Sequence, residues 1–171
     1  MSQLLIQRYL NELSDLRRVS GEARESIVRE AFKTLLKGWG RTHELIFIPE
    51  YKLNTENKDR RYVDGALVYK LRVPFGYWEA KDEADNLDDE IQKKFRRGYP
   101  QDNIIFEDSR EAILIQNKKQ VWRCPVDNPL ELEGLLRLSG NRFAYQSDLH
   151  KSIFGPEDEA LRYVSIASLD R

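Results

Sequence analysis

The chain has 171 residues, 40% apolar and 33% charged, with 28 Lys and Arg set against 29 Asp and Glu for a net charge of −1. That composition belongs to a globular domain with a real core and excludes a disordered chain, while one cysteine (Cys124) and two distant histidines (His43 and His150) exclude disulfide frameworks and zinc sites. No apolar run reaches the ~18 residues of a membrane span, and the start "MSQLLIQRYLNELSDLRR" is too charged for a signal peptide, so the expectation is a cytoplasmic protein; the near-neutral balance leaves its partners open, and any nucleic acid would have to be attracted by local basic patches.

Leu4, Leu5, Tyr9, Leu10, Leu13 and Leu16 recur at spacings of three and four, which predicts an amphipathic helix over residues 3–18. Ser20 is placed to cap a second helix running to about Lys37, with "GWG" as its stop and Val28, Ala31, Phe32, Leu35 and Leu36 as its buried stripe. On a helical wheel Glu25 falls on the edge of that stripe, Glu22 lies just outside it, and Glu30 points away. Three β-branched or aromatic runs follow, "ELIFIPEY" (44–51), "RRYVDGALVYKL" (60–71) and "PFGYWEAK" (74–81), and predict a meander of strands. "DEADNLDDEIQKKFRRGYP" has Leu87, Ile91 and Phe95 on one stripe, its acids first and Lys93, Lys94, Arg96 and Arg97 last, as a helix dipole favours. "NIIF", "EAILIQN" and "KQVWRC" predict short strands, the last two joined as a hairpin at Asn117 and Lys118. "NPLELEGLLRL" (128–138) predicts a helix begun at Asn128 with Pro129 first, and after Ser139 the periodicity fades. The order of elements predicts an α/β sandwich around a mixed sheet.

Strand alternation puts Asp64 among Tyr62, Ala66 and Val68, and puts Glu79 and Lys81 on one face with Phe75 and Tyr77. Burying one carboxylate costs several kcal/mol unless something pairs with it, and two cost more, so such a site is wet or holds a cation. Two carboxylates from adjacent strands, with the backbone carbonyl of Ala80 between them, supply the hard oxygen ligands Mg²⁺ prefers. Lys81 would then face a metal-bound water, and Glu25 could add a further acid; phosphodiester hydrolysis needs these parts. The bland counterpart is a cross-strand ion pair on a solvated face, which predicts exposed Asp64 and Glu79 with no shared pocket. The basic run suits phosphate contact and a dipole-matched helix end equally. "DEADNLDDE" lacks the spacing of a calcium loop, the histidines have no partnered nucleophile, and no Gly-rich phosphate loop is present.

With Asp64 of "YVDG" and Glu79 of "YWEAK" separated by fourteen residues in consecutive strands, the chain resembles the PD-(D/E)xK nuclease superfamily, and more narrowly the amino-terminal nuclease region of large bacterial restriction-modification polypeptides. "RESIVREAFKTLL", "PFGYWEAKDEADNLDDEIQKKFRRGYPQDNIIFED" and "EAILIQN" carry the resemblance, over roughly residues 5–138. It implies a restriction-endonuclease-like α-β-β-β-α-β core, a mixed central sheet flanked by helices. It also implies Asp64, Glu79 and the Ala80 carbonyl as Mg²⁺ ligands, with Mn²⁺ able to substitute, and Lys81 as the catalytic lysine. Glu25 would be the helix acid, with Glu22 as second choice, and Gln92, Lys93 and Arg96 are candidate DNA contacts. The superfamily's proline before the first aspartate is Val63 here, and the 171 residues are too few to include a methyltransferase.

The expectation is therefore a packing helix over 1–19, a nuclease core over 20–138 and an extension over 139–171. Its function would be Mg²⁺-dependent cleavage of double-stranded DNA, with methyltransferase and target-recognition modules in the same or an adjacent polypeptide and no membrane contact. The alternatives are a catalytically idle nuclease fold that binds nucleic acid or a partner, and a repair or junction nuclease on the same core.

Overall fold

The computed structural model describes residues 2–20, 25–53 and 60–141, with the side chains of Ser20 and residues 25–27 outside that description. In chain order the elements are α1 (Ser2–Ser20), α2 (Glu25–Thr42), β1 (Ile46–Leu53), β2 (Arg61–Val68), β3 (Pro74–Ala80), α3 (Leu87–Arg96), β4 (Ile104–Glu107), β5 (Glu111–Gln116), β6 (Lys119–Pro125) and α4 (Pro129–Gly140). The strands form one sheet in the order β1-β2-β3-β4-β5-β6. All neighbours are antiparallel except β3 and β4, which run parallel. A parallel step needs a crossover, and α3 supplies it.

Alternation along the strands builds two cores on opposite faces of the sheet. On one face Ile6, Tyr9 and Leu13 of α1, Val28, Phe32 and Trp39 of α2, and Leu132 and Leu136 of α4 pack with Trp78, Ile105 and Leu114. On the other, Leu87, Ile91 and Phe95 of α3 cover Val63, Ile104, Phe106 and Ile113. The sheet with its helices lies in a compact unit spanning Met1–Ser139. Among the described residues no helix is long and apolar enough to cross a membrane.

Local chemistry accounts for the ends of these elements. Asn86 caps α3 by accepting from the Asp89 N–H at 3.0 Å. Asn128 does the same for α4, accepting from Leu130 and Glu131 at 3.2 and 3.3 Å, with Pro129 next. The hairpin between β5 and β6 turns on Asn117 (φ 50°) and Lys118 (φ 66°), the paired left-handed residues of a tight turn.

Three expectations are corrected. Ser20 does not open the second helix; it is the last residue of α1. The first helix does not bury Leu4, which is 57% exposed, and Ile6 takes its place in the core. Leu4 is two residues from Ile6 and so lies almost opposite it on the helix. The second helix does not stop at "GWG" but continues to Thr42. Trp39 must reach the core, where it is buried, and the glycines on either side let the helix approach its neighbours closely: a Cβ on Gly38 would lie 2.8 Å from Leu5 Cδ2, and one on Gly40 2.5 Å from Leu67 Cδ2. The helix ends instead where the His43 and Leu45 N–H groups both donate to the Gly40 carbonyl at 2.9 Å. His43 is a capping residue, its Nδ1 2.9 Å from the Trp39 carbonyl. Glu22, His150 and the extension from residue 142 onward lie outside the described residues.

Candidate active site

The backbone pairing of β2 with β3 runs only as far as Gly65 opposite Trp78. Beyond it side chains replace the ladder. The Ala80 N–H donates to Asp64 Oδ2 at 2.9 Å, and the Asp64 N–H donates to Glu79 Oε2 at 3.3 Å. Each strand's carboxylate thus takes an N–H of the other, and the two acids are locked face to face where the strands separate. Strand β4 holds the other side of β3, with the Lys81 N–H donating to the Glu107 carbonyl at 2.7 Å.

Glu79 is 3% exposed, and its second oxygen, Oε1, accepts from Lys81 Nζ at 2.8 Å. Lys94 Nζ of α3 pairs with the same oxygen. Lys94 is itself steadied by Tyr99, donating to Tyr99 Oη at 3.1 Å with its Nζ 4.5 Å from the ring centroid. Tyr99 in turn donates to the Tyr62 carbonyl at 2.7 Å, tying α3 to β2. From the other face Arg29 of α2 brings Nη1 to 3.7 Å from Asp64 Oδ1.

The electrostatics follow from this crowding. Burial raises the pKa of Asp64, the negative charge of Glu79 raises it further, and the Ala80 N–H, Arg29 and Lys81 pull it down. Burial would lower the pKa of Lys94, but its bonds to Glu79 and Tyr99 outweigh that and hold it above the ordinary lysine range. Glu107 is fully enclosed, accepts from the Ser109 N–H at 2.8 Å, and is pushed by burial up to about 8, with Arg29 and Asp64 both within electrostatic reach.

Asp64, Glu79 and Lys81 therefore meet in one place; Glu79 is buried and Asp64 and Lys81 are partly buried, which does not fit a pair of fully exposed acids. Glu25 is the first residue of α2, but its side chain is not among those described. Gln92, Lys93 and Arg96 are on the exposed side of α3, where Lys93 pairs with Glu90 at 2.6 Å. Among the described residues no group of three or more His, Cys, Asp and Glu side chains is arranged around a metal position, so the acid set here is the Asp64 and Glu79 pair.

Sequence reasoning missed Lys94, Tyr99, Arg29 and Glu107 as neighbours of the pair. For Lys94 a signal existed: it follows Leu87 by seven residues and Ile91 by three, which places it inside the buried stripe and not on the solvent side with Lys93. For Glu107 the sequence offered only an acid directly after the apolar run "IIF".

Among solved structures the chain matches one of a DrdV–DNA complex determined by cryo-EM, at 44% sequence identity and a TM-score of 0.76. A DNA-bound protein, DrdV, shares this fold. The match covers 80% of this chain and 14% of the DrdV chain, so the present chain corresponds to a small part of that protein. The mixed α/β architecture, a six-stranded sheet flanked by helices, agrees with the restriction-endonuclease-like core expected from the sequence. No protein-family model and no curated protein matches the chain.

Proposed function

We propose that the chain is the Mg²⁺-dependent DNA endonuclease module of a restriction-modification system, a member of the PD-(D/E)xK superfamily that hydrolyses phosphodiester bonds in double-stranded DNA in the cytoplasm. The observation that carries this is the meeting of Asp64 and Glu79 at the opening between β2 and β3, with Lys81 on the same carboxylate. The DNA in the DrdV complex supports the choice of substrate.

The donor set suits a hard divalent ion. The charge of Glu79 disfavours ionisation of Asp64, so a cation placed between them would relieve that repulsion. Asp64, Glu79 and the Ala80 carbonyl would hold it; with so few protein ligands it would keep several waters, as Mg²⁺ does. Bound there, the ion would polarise a phosphoryl oxygen and acidify a water.

The rest belongs to the chain's own groups. Lys81, the residue after β3 and bonded to Glu79, orients the attacking water and stabilises charge developing on the phosphate. Glu25 is the helix acid of the set. The basic end of α3, with Gln92, Lys93 and Arg96, tracks the DNA backbone. Target recognition and adenine methylation reside in further modules of the same or an adjacent polypeptide, in keeping with the 14% of DrdV that the chain spans.

The test is calorimetric titration with Mg²⁺ and with Ca²⁺. Asp64→Asn and Glu79→Gln should lose ion binding, and Lys81→Ala should retain it. Ion binding that survives in Asp64→Asn would remove the assignment.

A further inference from the structure

Of the four cations that close α3, three are exposed and Lys94 is not; its side chain is 15% exposed. Its ammonium shares Glu79 Oε1 with Lys81. The two arrive from different elements. Lys81 follows Glu79 by two residues, and its backbone is fastened to β4 through the Glu107 carbonyl. Lys94 reaches across from α3 and has a second seat, the Tyr99 hydroxyl at 3.1 Å and the face of the same ring. Tyr99 is well placed to serve as that seat, because it is buried and anchored on the Tyr62 carbonyl.

Two ammoniums on one carboxylate oxygen place two positive charges beside the position assigned to a divalent ion. All three cations cannot remain there, since like charges a few ångströms apart in a site of low dielectric repel strongly. The ammonium with somewhere else to go is Lys94.

We propose that Lys94 is a positioning residue of this site: it occupies Glu79 in competition with the divalent ion and, displaced onto Tyr99, adds its charge to the field that holds the DNA phosphate. The inference rests on the metal-site reading above. It gives Lys94 a signature that a packing role would not produce. Removing the charge should tighten ion binding and weaken DNA binding, whereas loss of packing would weaken both.

The experiment uses the full chain in four forms, wild type, Lys94→Met, Lys94→Gln and Lys94→Arg, with Asp64→Asn as reference. Ca²⁺ affinity is measured by calorimetry, affinity for a short DNA duplex by anisotropy in Ca²⁺, and folding by thermal melting. Lys94→Met and Lys94→Gln should bind Ca²⁺ about fivefold or more tightly and the duplex correspondingly more weakly, and Lys94→Arg should return both toward wild type. If the folded neutral variants bind Ca²⁺ as wild type does, or more weakly, the proposal is overturned with the metal site intact. If Ca²⁺ binding by wild type is absent, or persists in Asp64→Asn, the metal-site reading itself falls and takes this inference with it.

Discussion

A carboxylate taken out of water must find donors or cations, and the two buried glutamates at this site solve the problem differently. Glu79 accepts from two ammoniums on Oε1 and from the Asp64 N–H on Oε2. Glu107 is held by the neutral Ser109 N–H, and burial keeps its proton on up to about pH 8. The sign of the consequence is set by linkage. Below pH 4.5 the folded and unfolded chains both carry this proton; between 4.5 and about 8 the folded chain keeps a proton the unfolded chain has lost, so stability falls as pH rises. Asp64, also raised, acts in the same direction from 3.8 upward. Across the Glu107 window the loss is at most about 5 kcal/mol. Glu107→Gln should therefore remove most of the fall in melting temperature between pH 5 and pH 8.5. A variant that loses stability in parallel with wild type over that range would show that Glu107 does not retain its proton.

At the scale of elements, α2 shows how packing overrides a local stop signal. Gly38 and Gly40 would end a solvent-exposed helix, but here they bracket a buried tryptophan and allow α2 to lie against α1 and β2. Gly40→Ala tests this. A Cβ there would sit 2.5 Å from Leu67 Cδ2 and 3.5 Å from the Leu45 carbonyl. Overpacking typically costs about 1–3 kcal/mol, against roughly 1 kcal/mol gained in helix propensity, so the variant should be destabilised by on the order of 1 kcal/mol in urea unfolding. A stabilised variant would contradict the account of that contact. The same element marks what sequence could not convey. Periodicity found the stripe of α2 and the stripe of α3, and turn chemistry found Asn128 and the Asn117 hairpin, because each is decided by neighbours in sequence. The far end of α2 and the inward course of Lys94 are decided by contacts with Leu67 and Glu79, which are distant in sequence. Asp64, Glu79 and Lys81 were legible because charged residues interrupt otherwise apolar strands. Their hydrogen bonds to each other's backbone were not, since those depend on where the β2 and β3 ladder opens.

For the molecule as a whole, the sheet has a single parallel step, and the site lies at the carboxyl ends of the two strands that make it, β3 and β4, beside the point where β2 departs. Open α/β sheets commonly place their ligand sites outside the carboxyl ends of strands, and here α2 and α3 approach the same end from opposite faces with Arg29 and Lys94. Two carboxylates and three cations meet there, and the function proposed above would place a divalent ion and a phosphate among them. The similarity to a segment of DNA-bound DrdV makes DNA the substrate to test. The most direct measurement is the nicking of supercoiled plasmid by the wild-type chain and by Lys81→Ala, each with Mg²⁺ and with a chelator. Wild type should nick only with Mg²⁺, and Lys81→Ala, which still binds the ion, should be slower by at least about 100-fold. Nicking by Lys81→Ala at the wild-type rate, or no nicking by wild type with Mg²⁺, would contradict the assignment of this site.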